Sequence, residues 1–149
     1  MAAERWFEDY APGAVHAFGS HLVDEASIVE FGRAYDPQAF HVDPVAARDS
    51  AFGGLIASGW HTGAIMMRMY ADHYLCPASS LGSPGVDELR WLRPVRPGDT
   101  LRLRVAVLEA RLSRSKPDRG IVQSQIDVLN QDDERVMTMK AANLVLRRP

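Results

Sequence analysis

The chain has 149 residues, 46% of them apolar and 24% charged, with a formal net charge of -2 at pH 7. This size and balance fit one compact domain across residues 1–149 and exclude a chain kept unfolded by charge. They give no broad pull toward nucleic acid or anionic lipid, so neither is expected as a partner.

Cys76 is the only cysteine, which excludes an intramolecular disulfide and a thiolate metal cluster. Glu4 and Arg5 interrupt the start where a secretory peptide would be apolar, and no window approaches the roughly 18 apolar residues of a membrane span. A cytoplasmic protein that does not enter the membrane is expected.

In chain order, Pro12 and Gly13 precede a short strand expected from Val15 to Val23. Asp24 to Ser27 reads as a helix start, with Ile28, Phe31 and Tyr35 on an apolar face, and the Asp36-Pro37 step ends that helix. A loop from Asp36 to Asp43 follows. Pro44 opens a second short helix, Val45 to Asp49, with Asp43 as its cap, and Phe52-Gly53-Gly54 breaks it. Leu55 to Leu75 is the strongest helix candidate, since Ile65, Met66, Met69 and Tyr70 share one side.

Beyond Gly85 the period changes from helical to alternating. Val86 to Leu92, Thr100 to Leu108, Ile121 to Leu129 and Val136 to Leu146 read as consecutive antiparallel strands separated by turn formers. Leu101, Leu103, Val105 and Val107 alternate with Arg102, Arg104 and Ala106, the pattern of a half-buried strand. Helices first and strands second define an α+β architecture in which a long helix covers one face of an antiparallel sheet.

Two segments offer chemistry. Asp36 and His41 stand five residues apart on the loop between two helices. A carboxylate beside an imidazole suits proton transfer around a bound water, and a turn-forming Asp with a surface His would have the same spacing. Ala57-Ser58-Gly59-Trp60-His61-Thr62 brings the chain into the long helix through small residues. A helix start presents unpaired N–H groups and partial positive charge, and Gly59 permits close approach by a developing oxyanion or by a packed neighbour. His61 reads as packing, Met66, Met67 and Met69 as core or interface, and Arg114 and Lys116 as a solvated hairpin that could also meet phosphates. Ser58 has no elbow or triad around it.

These motifs, with Phe40-His41-Val42-Asp43-Pro44 and Arg93-Pro94-Val95-Arg96-Pro97-Gly98-Asp99, resemble the MaoC-like dehydratases, the group that includes (R)-specific enoyl-CoA hydratases. The resemblance implies a hot-dog fold, an antiparallel sheet wrapped around a long central helix, and a homodimer or higher homo-oligomer. It implies hydration or dehydration of an acyl-CoA thioester, with Asp36 and His41 binding the water and the Gly59 N–H holding the thioester oxygen. Asp36 would be the base and proton carrier and His41 would orient the water. No metal or organic cofactor is needed. The narrower hydratases have Asn-Pro where this chain has Gln38-Ala39, and His-Gly where it has Ser58-Gly59, so the pocket is expected to differ.

The same fold supports thioester hydrolysis and noncatalytic acyl-CoA binding by a dimer. Hot-dog thioesterases commonly place a carboxylate on the long helix, whereas Gly59 to Met67 has none and Asp72 comes late. The hydratase is therefore the preferred expectation.

Overall fold

The computed structural model describes residues 4–149. A 3-10 turn at Phe7–Asp9 leads into β1 (Val15–Leu22), then α1 (Glu25–Tyr35), the single-turn α2 (Ala39–Val42), α3 (Pro44–Arg48) and α4 (Gly59–His73). The second half supplies β2 (Gly85–Trp91), β3 (Thr100–Leu112), β4 (Arg119–Leu129) and β5 (Arg135–Leu146). They form one five-stranded antiparallel sheet in the order β1-β3-β4-β5-β2.

The alternation legible in β3 builds the core. Leu101, Leu103, Val105 and Val107 are buried, and Val122, Ile126 and Val128 of β4 with Met139, Ala141 and Val145 of β5 extend the same face. Across it lies α4, in contact with β1 and β3, burying Ile65, Met66, Met69 and Tyr70. Burial of an aliphatic or methionine side chain contributes roughly 1.5–3 kcal/mol, so this face carries most of the stabilisation. Two polar contacts set the helix in register: the Tyr70 hydroxyl donates to Asn143 Oδ1 at 2.6 Å, and the Tyr74 hydroxyl meets Ser124 Oγ at 2.8 Å.

Capping follows the residue chemistry. Asp24 accepts from Ser27 N–H at 2.8 Å at the start of α1. Asp43 accepts from Val45 and Ala46 N–H at 3.0 and 3.1 Å at the start of α3, as expected for that residue. Four details differ from the sequence expectation. The stretch expected as a loop contains α2, whose four residues are too few to show a period. Residues 55–57 are extended and are not part of the long helix, because Ile56 N–H donates to Phe40 O and Ala57 N–H to Val95 O. Tyr35 is 77% exposed, away from the core, with its ring against Phe31. β2 pairs with β5 and not with β3, so the four later strands are antiparallel without following sequence order across the sheet.

Gly19 shows how closely α4 sits on the sheet. It adopts φ +89° at an irregularity in β1 between Phe18 and His21, and a Cβ there would stand 2.5 Å from Met69 Sδ. Gly19→Ala should therefore lower the unfolding free energy by about 2 kcal/mol, from a strained backbone and a displaced methionine. Urea denaturation should show an earlier midpoint with an unchanged slope.

Candidate active site

The helix break at Asp36 places a carboxylate at the end of α1, and the α2 turn returns the chain so that His41 faces it. His41 Nε2 lies 3.2 Å from Asp36 Oδ2. The His41 side chain is 6% exposed, so its ring nitrogens depend mainly on partners inside the protein. Nδ1 lies 2.7 Å from Ile56 O, a carbonyl that can only accept, so this nitrogen carries a hydrogen. Residues 55–57 are in turn fixed between Phe40 and Val95, so the strand-like approach to α4 holds the histidine's orientation.

Asp36 is bound from both sides. Gln38 Nε2 donates to Oδ1 at 2.7 Å, and Ser58 Oγ donates to Oδ2 at 2.7 Å. The Gln38 bond, with the Ser58 bond and the adjacent His41, holds the carboxyl below the usual aspartate range, against an opposing effect of burial.

Ser58 caps α4, its Oγ accepting from Trp60 N–H at 3.3 Å. Gly59 is the first helical residue, so its N–H has no carbonyl one turn earlier in the helix to bond. Asp36, His41 and Gly59 line one cavity of about 420 Å³, walled by Phe40, Phe52, Trp60, Trp91 and Pro94. Trp91 packs on Gly59 and donates from Nε1 to Gly59 O at 2.9 Å, and a Cβ on Gly59 would be driven into its indole. A polar pair and a helix start thus share a chamber walled mostly by apolar side chains, with Gln38, Thr62 and Arg93 also on its lining. The groups present can bind a water beside the Asp36–His41 contact and a carbonyl oxygen at the helix start, as proton transfer beside a polarised carbonyl requires.

The sequence-expected trio is brought together. His61 is buried outside this lining, its ring stacked on Phe31 with centroids 4.8 Å apart, as the packing reading requires. Arg114 and Lys116 lie exposed in the β3–β4 hairpin. The cavity wall from Leu92 to Val95 precedes the other end of β3, so this chain does not bring them to the site. Sequence reasoning missed Gln38 and Ser58 as partners of Asp36, and the wall from Trp91 to Val95. The Ser58 contact spans 22 residues and has no local signature. Among the described residues no three His, Cys, Asp or Glu side chains are grouped to hold a metal ion, and no helix is long and apolar enough to cross a membrane.

A family model described as MaoC like domain matches residues 10–128, and the chain belongs to that family. It is 44% identical to a MaoC-like dehydratase from Rhodospirillum rubrum, with a TM-score of 0.91 over 98% of this chain and 99% of that one. An R-hydratase from Pseudomonas aeruginosa, 23% identical, shares the fold with a TM-score of 0.77 over 96% of this chain and 86% of that one. The uncharacterized Bacillus subtilis protein YdeM is 27% identical over 94% of this chain and 98% of its own length. The α+β architecture is the hot-dog fold of these relatives.

Because Trp91 is 45% exposed, its ring can swing away if Gly59 gains a side chain. Gly59→Ala should break the Trp91 Nε1 bond at a cost of only about 1 kcal/mol. Hydrogen exchange at the Trp91 indole, followed by NMR, should accelerate by roughly tenfold.

Proposed function

We propose that the protein is an acyl-thioester hydratase or dehydratase of the enoyl-CoA and 3-hydroxyacyl-CoA type. One observation carries this reading: Asp36 and His41, in contact at 3.2 Å, line the same cavity as Gly59, the first residue of α4. Hydration of an enoyl thioester needs a held water near the β-carbon, a proton for the α-carbon, and positive charge at the thioester oxygen as an enolate forms. Asp36 and His41 bind the water, whose oxygen bonds to the β-carbon. One water proton passes to the pair and one proton from the pair reaches the α-carbon, so the pair ends as it began. The α4 dipole adds to the Gly59 N–H at the carbonyl oxygen. This chemistry requires no metal or organic cofactor. The 44% identical relative described as a MaoC-like dehydratase supports the same class.

Hydrolysis of the thioester is the less supported reading, because the first turn of α4 contains no acidic residue. A homodimer belongs to the proposal. β2 is an edge strand on which Val86 and Trp91 remain exposed, Trp91 packing edge-on against the exposed Trp60, a surface that a second copy would cover.

Crotonyl-CoA, trans-2-octenoyl-CoA and a 2-methyl-branched enoyl-CoA should lose their enoyl-thioester ultraviolet band on addition of the protein. Asp36→Asn and His41→Ala should each slow that loss by roughly 10²- to 10⁴-fold without unfolding the chain. Free thiol released from acyl-CoAs with the enoyl band intact would identify a thioesterase, and stoichiometric binding without turnover would identify an acyl-CoA-binding protein.

A further inference from the structure

The Asp36 carboxylate is fixed through both oxygens. Gln38 Nε2 holds Oδ1 and Ser58 Oγ holds Oδ2, each at 2.7 Å, while His41 Nε2 approaches Oδ2 at 3.2 Å. Two donors from opposite sides set the plane of the group as well as its position. Ser58 is 1% exposed, so its hydroxyl has no bulk water as an alternative partner. Having given its only proton to Asp36, it still accepts Trp60 N–H at 3.3 Å. One buried hydroxyl therefore joins the carboxylate to the first turn of α4, the turn that Gly59 opens.

We infer that Ser58 and Gln38 are positioning residues that hold the plane of the Asp36 carboxylate and direct it at His41, with Ser58 also fixing the carboxylate relative to the first turn of α4. This rests on the hydratase reading of the pair. Hydrogen bonds donated to a carboxylate favour its charged form, while burial favours the neutral one. For Asp36 the two donors, together with His41, outweigh burial and hold the carboxyl below its usual range. The titratable group acting on Asp36 is His41 of α2. Arg93, which lines the cavity from the β2–β3 connection, is engaged by Glu134 at 3.0 Å, and the partner from the α4 side is the uncharged Ser58. The spacing of water site and carbonyl site thus depends on a serine that touches neither reacting atom in the proposed reaction.

The test uses Gln38→Leu, at an exposed position where folding should be unaffected, and Ser58→Ala, with Ser58→Thr as the variant that restores the hydroxyl. The Asp36 carboxyl is followed by 13C NMR against pH, and crotonyl-CoA hydration is measured across the same range. Loss of either donor should move the Asp36 midpoint to higher pH and move the acid limb of the rate profile with it. For each lost bond kcat should fall about tenfold while KM stays within about twofold, and Ser58→Thr should recover both readouts. An Asp36 midpoint unchanged in Gln38→Leu and Ser58→Ala would overturn the inference whether or not the protein is active. Displaced midpoints in a protein that hydrates none of the enoyl-CoA panel would overturn the hydratase reading while supporting the clamp on Asp36.

Discussion

A buried imidazole sets the terms for the first half of the chain. His41 has almost no contact with solvent, and a polar ring in that position is costly unless both nitrogens are satisfied. Satisfying Nδ1 requires the Ile56 carbonyl, which is why residues before α4 run extended and do not begin the helix early. Nε2 faces Asp36 Oδ2 at 3.2 Å, and Asp36 in turn brings in Gln38 and Ser58. Two segments, residues 36–41 and 56–58, are thereby fixed to one another through a chain of polar contacts of 2.7 to 3.2 Å.

The sheet provides the frame that keeps this chain of contacts from drifting. The buried faces of β3, β4 and β5 hold α4, and the Tyr70–Asn143 and Tyr74–Ser124 contacts fix where the helix lies along them. The N-terminus of α4 consequently has a fixed position, and the cavity lies there, bounded on the far side by the β2–β3 connection through Ala57 N–H to Val95 O. Packing of apolar surface supplies the bulk stabilisation and is tolerant of detail. The polar contacts supply location, which is what a proton-transfer site requires.

The parts legible in the sequence were those written in a local period. The alternation from Leu101 to Val107 and the stripe of Ile65, Met66, Met69 and Tyr70 each reflect one element facing one core, so composition along a short window was enough. Asp43 and Asp24 were readable as cap and helix start because capping acts within three residues. The α2 turn escaped because four residues cannot display a helical period. Asp36, His41 and Gly59 were singled out through motif resemblance, since the spacing of Asp36 and His41 alone favours a turn former and a surface histidine. Ser58 and Trp91 escaped as partners because what gives them their places is tertiary: one reaches a carboxylate 22 residues back, the other packs on a glycine 32 residues away.

The two positions at which this chain departs from the narrower hydratase pattern are Gln38-Ala39 and Ser58-Gly59, and they meet at one carboxylate. Gln38 and Ser58 take opposite oxygens of Asp36, so a change at either alters the demand on the other. A histidine at position 58 would bring a second titratable ring against Asp36 where the chain now has a neutral hydroxyl, and an asparagine at position 38 would be one methylene shorter than the glutamine that reaches Oδ1. The departures are therefore physically coupled: both solve the same problem of holding an ionised carboxylate beside His41 in a mostly apolar chamber. Neither removes the Asp36–His41 contact. They change what surrounds it, and with it the shape and polarity that a substrate meets between Asp36 and Trp91.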